Sequence, residues 1–262
     1  MRLSIDARLD YALPAPADLL FQLEVAKEAT DQNLITDLLR IGGVEPLRPI
    51  AADSGLGRRT WTRGTEGSFS AHYTATVDVE RPAATLHGLN ADNVKTLPAE
   101  VVPYIFPSRY CESDRFEAVV RREFGKHAGG DKVEAMARWI RGHLDYVLGS
   151  SDVNTTAADT YVAHRGVCRD FAHLLIALTR AADIPARMVA AYAWKLEPQD
   201  FHAVVEVWLD GAWRLIDATG MAPVEGLVRI GGGRDATDVS FLTIFGSATC
   251  LSQTVSVTRL DL

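Results

Sequence analysis

Three side chains with reactive or ionisable ends stand out by position: Cys168 in Arg165-Gly166-Val167-Cys168-Arg169-Asp170-Phe171, His202 in Phe201-His202-Ala203, and Asp217 in Trp213-Arg214-Leu215-Ile216-Asp217. A thiol, an imidazole and a carboxylate are the parts of nucleophilic acyl transfer, in which sulfur attacks a carbonyl, the ring moves the proton and the carboxylate orients the ring. Gly166 can bend the chain just ahead of an apolar run that begins at Cys168. The sulfur then falls in the first turn of a helix, where unpaired N–H groups and the positive dipole end favour an ionised sulfur. His202 opens one apolar run and Asp217 closes the next, with Asp210-Gly211 as a tight turn between them. Counted outward from that turn, His202 and Asp217 are level at one rim of an antiparallel pair, within a register step or two. This predicts a carboxylate on the imidazole Nδ1–H, with Nε2 facing the thiol.

The elements that must position these groups divide the chain in two. Leu3, Ile5, Ala7, Leu9 and Tyr11 alternate with polar residues at the period of a half-buried strand, which Pro14 and Pro16 end. Further strand-like runs at 19–25, 34–41, 59–62 and 69–79 make a small antiparallel β module, taken as residues 1–100 with a bridging segment from Pro82 to Pro107. Residues 101–262 then start helical. Runs 114–124 and 131–147 carry apolar residues at offsets of three and four, and 168–182 is apolar nearly all round and therefore central. Strands are predicted at 187–194, 202–209, 213–217, 224–230 and 238–244, with 254–260 closing the same sheet. Helices followed by an antiparallel sheet make this half an α+β domain.

The chain has 262 residues, enough for a sizeable core, with 27 Lys and Arg against 34 Asp and Glu. The resulting formal charge of -7 provides no field for nucleic acid or an anionic membrane surface. No run reaches the ~20 uninterrupted apolar residues of a membrane span, and the N-terminus has no signal-peptide pattern. The three cysteines leave one unpaired under any disulfide scheme, which fits a reducing compartment, and a cytoplasmic location is expected.

Other chemistry-bearing residues carry blander readings. Cys111 and Cys250 read as structural. His164, Cys168 and His173 suggest a metal set, but Gly166 breaks the helical register, and Cys168 and His173 point about 140° apart at 100° per residue. No metal is expected, and His173 is assigned to packing. Gly231-Gly232-Gly233 lacks the following Lys-Ser/Thr of a phosphate loop and reads as a hairpin tip. Asp170 complements the helix dipole but opposes a neighbouring thiolate, so it needs Arg169 or Arg187. Tyr192 and Trp194 are candidates for lining the cleft, with core packing as the equal alternative.

Taken together, Cys-x-Asp-Phe-Ala-x-Leu at 168–174, Ile184-Pro185-Ala186-Arg187-x-Val189 with Tyr192, His-Ala-x-x-Glu-Val at 202–207, Trp213-x-x-x-Asp217-x-Thr219 and Pro107-Ser108-Arg109-Tyr110 resemble the core of bacterial transglutaminase-like proteins. The N-terminal β module resembles the one that commonly precedes this core. The resemblance implies a papain-like fold with Cys168 as nucleophile, His202 as general acid/base and Asp217 as the orienting carboxylate. It departs at Val204, where Trp is usual, which bears on the wall beside the histidine. The expected activity is acyl transfer on peptide or protein amides through a thioester, by hydrolysis more than by cross-linking, with the Cys168 N–H as first oxyanion donor. The alternatives are an arylamine-acetyltransferase-like reaction with acyl-CoA and a noncatalytic binding scaffold. No D-x-D-x-D-G calcium loop is present and no cofactor is expected.

Overall fold

The computed structural model describes residues 1–52, 54–81 and 85–261, so Pro82, the expected start of the bridging segment, lies outside the described residues. The alternation near the N-terminus does its expected work: in β1 (Arg2–Leu13), Leu3, Ile5, Ala7 and Leu9 are buried and their neighbours are not. β2 (Ala17–Phe21), β3 (Gln32–Gly42), β4 (Arg48–Ala51), β5 (Arg58–Gly64) and β6 (Gly67–Val79) follow. A bridging stretch with short 3-10 turns leads to α1 (Glu117–Phe124) and α2 (Gly129–His143). β7 (Asp145–Tyr146), α3 (Ala157–Ala163) and β8 (Arg165–Gly166) come next, then α4 (Cys168–Arg180). β9 (Ala186–Ala193), β10 (His202–Leu209), β11 (Ala212–Ile216), β12 (Leu227–Gly233), β13 (Leu242–Phe245) and β14 (Thr249–Arg259) complete the chain.

The central sheet has the order β11-β10-β9-β12 and is covered on both faces. On one face Ala186, Met188, Val205 and Val207 pack with Leu174, Leu175, Ile176 and Leu178 of α4. On the other, Val189, Ala191 and Val204 meet Ala26 and Leu56 of the β module. Tyr192 and Ile230 join the larger core around β1 and β6. This two-sided burial explains why β9 reads as a continuous apolar run. Burying each Leu or Ile of α4 contributes about 1.5–3 kcal/mol. Truncating Leu175, which is fully buried, therefore costs about 2–5 kcal/mol once the cavity is included.

Three sequence expectations are corrected. Residues 254–260 do not close the central sheet; β14 pairs with β1, setting Val257 against Ile5 and Val255 against Ala7, and β13 pairs with β2. The N-terminal module is thus completed by the C-terminal end of the chain, because a strand's period shows which face is buried but not which partner it finds. Gly231-Gly232-Gly233 are not a hairpin tip but lie inside β12, beside a bulge at Arg229/Gly231. A Cβ on Gly231 would meet the Gln22 amide at 2.2 Å, so the glycines let the β module lie directly on this strand. Finally, the helix predicted to Val147 stops at His143. Asp145 and Tyr146 turn to pair in parallel with Arg165 and Gly166, next to the start of α4.

A buried ion network ties the module to the sheet. Glu206 accepts from Arg187 Nε at 2.7 Å and from Arg229 Nε at 2.6 Å. Arg229 and Arg81 both hold Asp31, and Arg81 also donates to the Val224 and Leu227 carbonyls. Among the described residues no helix is long and apolar enough to cross a membrane.

Candidate active site

Cys168 is the first helical residue of α4, half-buried, after an extended Val167 (φ -113°). Asp170, fully buried at the third helical position, accepts the Val167 N–H at 2.8 Å. Valine has no acceptor to return the bond, so this is half of a capping box. The same oxygen, Oδ2, takes the Ser151 hydroxyl at 2.5 Å, and Oδ1 takes the Arg169 guanidinium at 3.1 Å. Its charge is therefore turned to Arg169, not to Arg187, which serves Glu206. A Cβ at Gly166 would stand 2.6 Å from the Asp170 Cβ. Close approach of this capping carboxylate explains the glycine.

His202 begins β10, and Asp217 follows the end of β11. The register Val205↔Ile216 sets Asp217 against Val204, so its carboxylate reaches along the sheet edge to the ring. The contact is Nε2 to Oδ2 at 3.0 Å between side chains 1% and 3% exposed. The approach is close but off the N–H axis, so Nε2 makes a charged contact there without an aligned hydrogen bond. It also corrects the predicted ring assignment: Asp217 takes Nε2, which leaves Nδ1 for the thiol. The carboxylate is fixed from behind by Thr219 N–H (2.9 Å) and Oγ1 (2.8 Å) on Oδ1 and by Ala222 N–H (3.0 Å) on Oδ2.

These partners set the charges. Burial works to lower the His202 pKa, but Asp217 and the Cys168 sulfur outweigh it and push it up to about 10. Burial likewise works to raise Asp217, and the imidazolium with the Ala222 and Thr219 donors holds it below the usual carboxylate range. At neutral pH the site contains an imidazolium beside an aspartate, with Cys168 in hydrogen-bonding reach of the ring.

Tyr146, which the helical pattern had hidden, brings its hydroxyl to both the thiol and the backbone N–H of Cys168, and burial with the sulfur's charge pushes it up to about 12. A cleft of about 310 Å³ opens beside the sulfur, with Met188, Ala190, Phe201, Ala203 and Phe241 among its walls. Of the two readings open for Tyr192 and Trp194, cleft lining and core packing, the structure shows packing. Tyr192 is fully buried and donates its hydroxyl to the Leu23 carbonyl at 2.8 Å, and Trp194 lies under Lys195 and Arg259. Both share the face of Met188 and Ala190, but they lie further along the chain, where that face packs on the β module. Val204 is fully buried among Val189 and Leu215 and does not line the cleft. His173 is buried, stacked on Tyr110 (centroids 5.1 Å), and accepts the Ala236 N–H at 3.1 Å. Burial pushes it down to about 4. Among the described residues no group of three or more His, Cys, Asp or Glu is placed to hold a metal ion.

A long buried helix starting at a cysteine and packed on an antiparallel sheet, with a histidine and an aspartate at the sheet's rim, defines the papain-like α+β class. The Transglutaminase-like superfamily pattern matches residues 118–218. The crystal structure of a "putative cysteine protease" from Cytophaga hutchinsonii is 37% identical, aligns with 100% of this chain and 91% of its own, and has a TM-score of 0.92. An uncharacterised protein of Mycobacterium leprae is 35% identical over 157 residues, 56% of this chain and 56% of that protein, so the chain spans little more than half of that relative. The chain belongs to the transglutaminase-like superfamily.

Proposed function

We propose that the protein cleaves amide bonds of peptides or proteins through a thioester on Cys168. The observation that carries this reading is the buried His202 ring, held by Asp217 on one nitrogen and within reach of the Cys168 sulfur on its other side. The thiolate attacks the carbonyl carbon, and the carbonyl electrons pass to oxygen. The His202 imidazolium gives its proton to the departing amine as the C–N bond breaks, leaving a thioester and a neutral ring. Water, deprotonated by that ring, then attacks the thioester and releases a carboxylic acid, which ionises, while sulfur leaves as thiolate and His202 is again protonated. The Cys168 N–H, at the N-terminus of α4, is one oxyanion donor, worth about 3 kcal/mol. The Tyr146 hydroxyl that now faces it is the natural second, since it can turn to the carbonyl oxygen when substrate enters.

Hydrolysis is favoured over transfer to an amine because no carboxylate stands among the described residues lining the cleft to receive an ammonium group. A reducing, cytoplasmic setting fits three free cysteines. The test is intact mass after mixing with an activated peptide ester: an acyl adduct on the wild type that decays in water, and none on Cys168→Ala. An equal adduct on the variant removes the assignment.

A further inference from the structure

Among the described residues, the walls of the chamber beside the sulfur are mostly apolar. Met188 and Ala190 come from β9, Phe201 immediately precedes His202, and Val239 and Phe241 come from the segment between β12 and β13. Phe201 and Phe241 stack face to face, centroids 4.6 Å apart and planes 6° from parallel, to form one wall. Two hydroxyls are present, and both protons are committed: Tyr110 donates to the Val153 carbonyl at 2.7 Å and Ser240 to the Leu242 carbonyl at 2.9 Å. Arg169, at the rim, is turned to Asp170, Ser151 and the Asp152 carbonyl. Among the described residues that line the chamber there is no carboxylate and no carboxamide.

We propose that this chamber receives a bulky apolar side chain, of the leucine, methionine or phenylalanine kind, on the residue whose main-chain carbonyl Cys168 attacks. The acyl donor is then the α-amide of an apolar residue, not the side-chain carboxamide of glutamine. This rests on Cys168 being the nucleophile. At about 310 Å³ the space is that of a small ligand pocket and holds such a side chain whole. An apolar group gains by leaving water there, whereas a carboxamide has two donors and an acceptor that would give up their water partners for few replacements, the Tyr110 and Ser240 oxygens being the hydroxyl acceptors on these walls. A carboxylate would carry a full charge onto the apolar part of these walls, away from Arg169, whose own charge is already turned to Asp170. Ala190 is the position that sets depth, because its methyl leaves the room that a larger residue would fill.

The full chain is treated with tripeptidyl chloromethyl ketones ending in leucine, phenylalanine, glutamine or aspartate. Sulfur forms a bond to the methylene carbon and chloride leaves, and the rate is read by intact mass and peptide mapping. Leucine and phenylalanine are expected to label Cys168 at least ~10-fold faster than glutamine or aspartate. Ala190→Phe is expected to erase that gap in a protein that still unfolds cooperatively in urea and whose Cys168 iodoacetamide still alkylates, which shows a folded protein with an intact thiol. Equal rates on the wild type, or glutamine fastest, overturn the chamber assignment and leave the nucleophile standing. Persistence of the gap in an Ala190→Phe protein that passes both controls overturns it as well. Failure of every reagent, iodoacetamide included, to label Cys168 overturns the nucleophile and the chamber with it.

Discussion

Two buried histidines, His202 on the wall of the cleft and His173 behind the Tyr110 and Ala236 that line it, carry opposite charge states. His202, at the sheet rim, faces a carboxylate and a sulfur and is held protonated to about pH 10. His173, one helical turn and a residue beyond Cys168 on α4, faces a stacked tyrosine and a backbone N–H donor and stays neutral down to about pH 4. Both are almost fully buried, so desolvation acts on each in the same direction. What separates them is the partner: Asp217 and the Cys168 sulfur reverse the burial penalty at His202, whereas at His173 burial outweighs the pull of Asp235. The residue type and its burial therefore say little about chemistry in this molecule, and the neighbouring charged groups say most.

That contrast is open to attack by substitution. Asp217→Asn removes the charge that keeps His202 protonated and is expected to lower the rate of acyl transfer by about 10²–10⁴-fold, with the protein still folded by circular dichroism. A loss under tenfold would make Asp217 a structural residue. His173→Phe, which keeps the stack on Tyr110 and gives up only the bond from Ala236, is expected to change the rate by less than about threefold and to destabilise by about 1–3 kcal/mol in urea unfolding, from the orphaned N–H. A smaller effect still is expected from Tyr192→Phe: about 1 kcal/mol of stability for the lost bond to the Leu23 carbonyl, and no change in labelling of Cys168.

The same pair shapes stability against pH. The unfolded chain releases a histidine proton near 6.5, whereas folded His202 keeps it to about 10, so this residue's contribution is full below pH 6.5 and is lost as pH rises from there to about 10. For His173 the folded pKa of about 4 lies below 6.5, so its contribution is full above pH 6.5 and is lost as pH falls to about 4. Urea midpoints measured from pH 4 to 10 are expected to fall on both sides of about 6.5. His173→Phe should flatten the acid arm and Asp217→Asn the alkaline one. A profile that neither variant alters would remove both assignments.

Much of the site was legible because it is local. Cys168 sits next to its helix start, and His202 and Asp217 are joined by a tight hairpin whose register follows from counting to Asp210-Gly211. The ring nitrogen was not legible, since it depends on Asp217 lying two register positions short of His202. Tyr146 was missed because it extends the apolar pattern of α2 into a two-residue strand. Nor could the period of 254–260 reveal that its partner is β1, some 250 residues earlier, or the three glycines of β12 reveal the Gln22 side chain lying on them. In each case the cause is a contact between segments distant in the chain, which leaves no mark on local pattern.

The most direct test of the central claim is a proton NMR titration of the two histidine rings in the intact protein and in Asp217→Asn. The His202 ring signals should stay in their protonated positions through pH 8 in the wild type and move to a much lower midpoint in the variant, with the His173 signals neutral throughout. A wild-type His202 that titrates near 6.5 and ignores the loss of Asp217 would contradict the account.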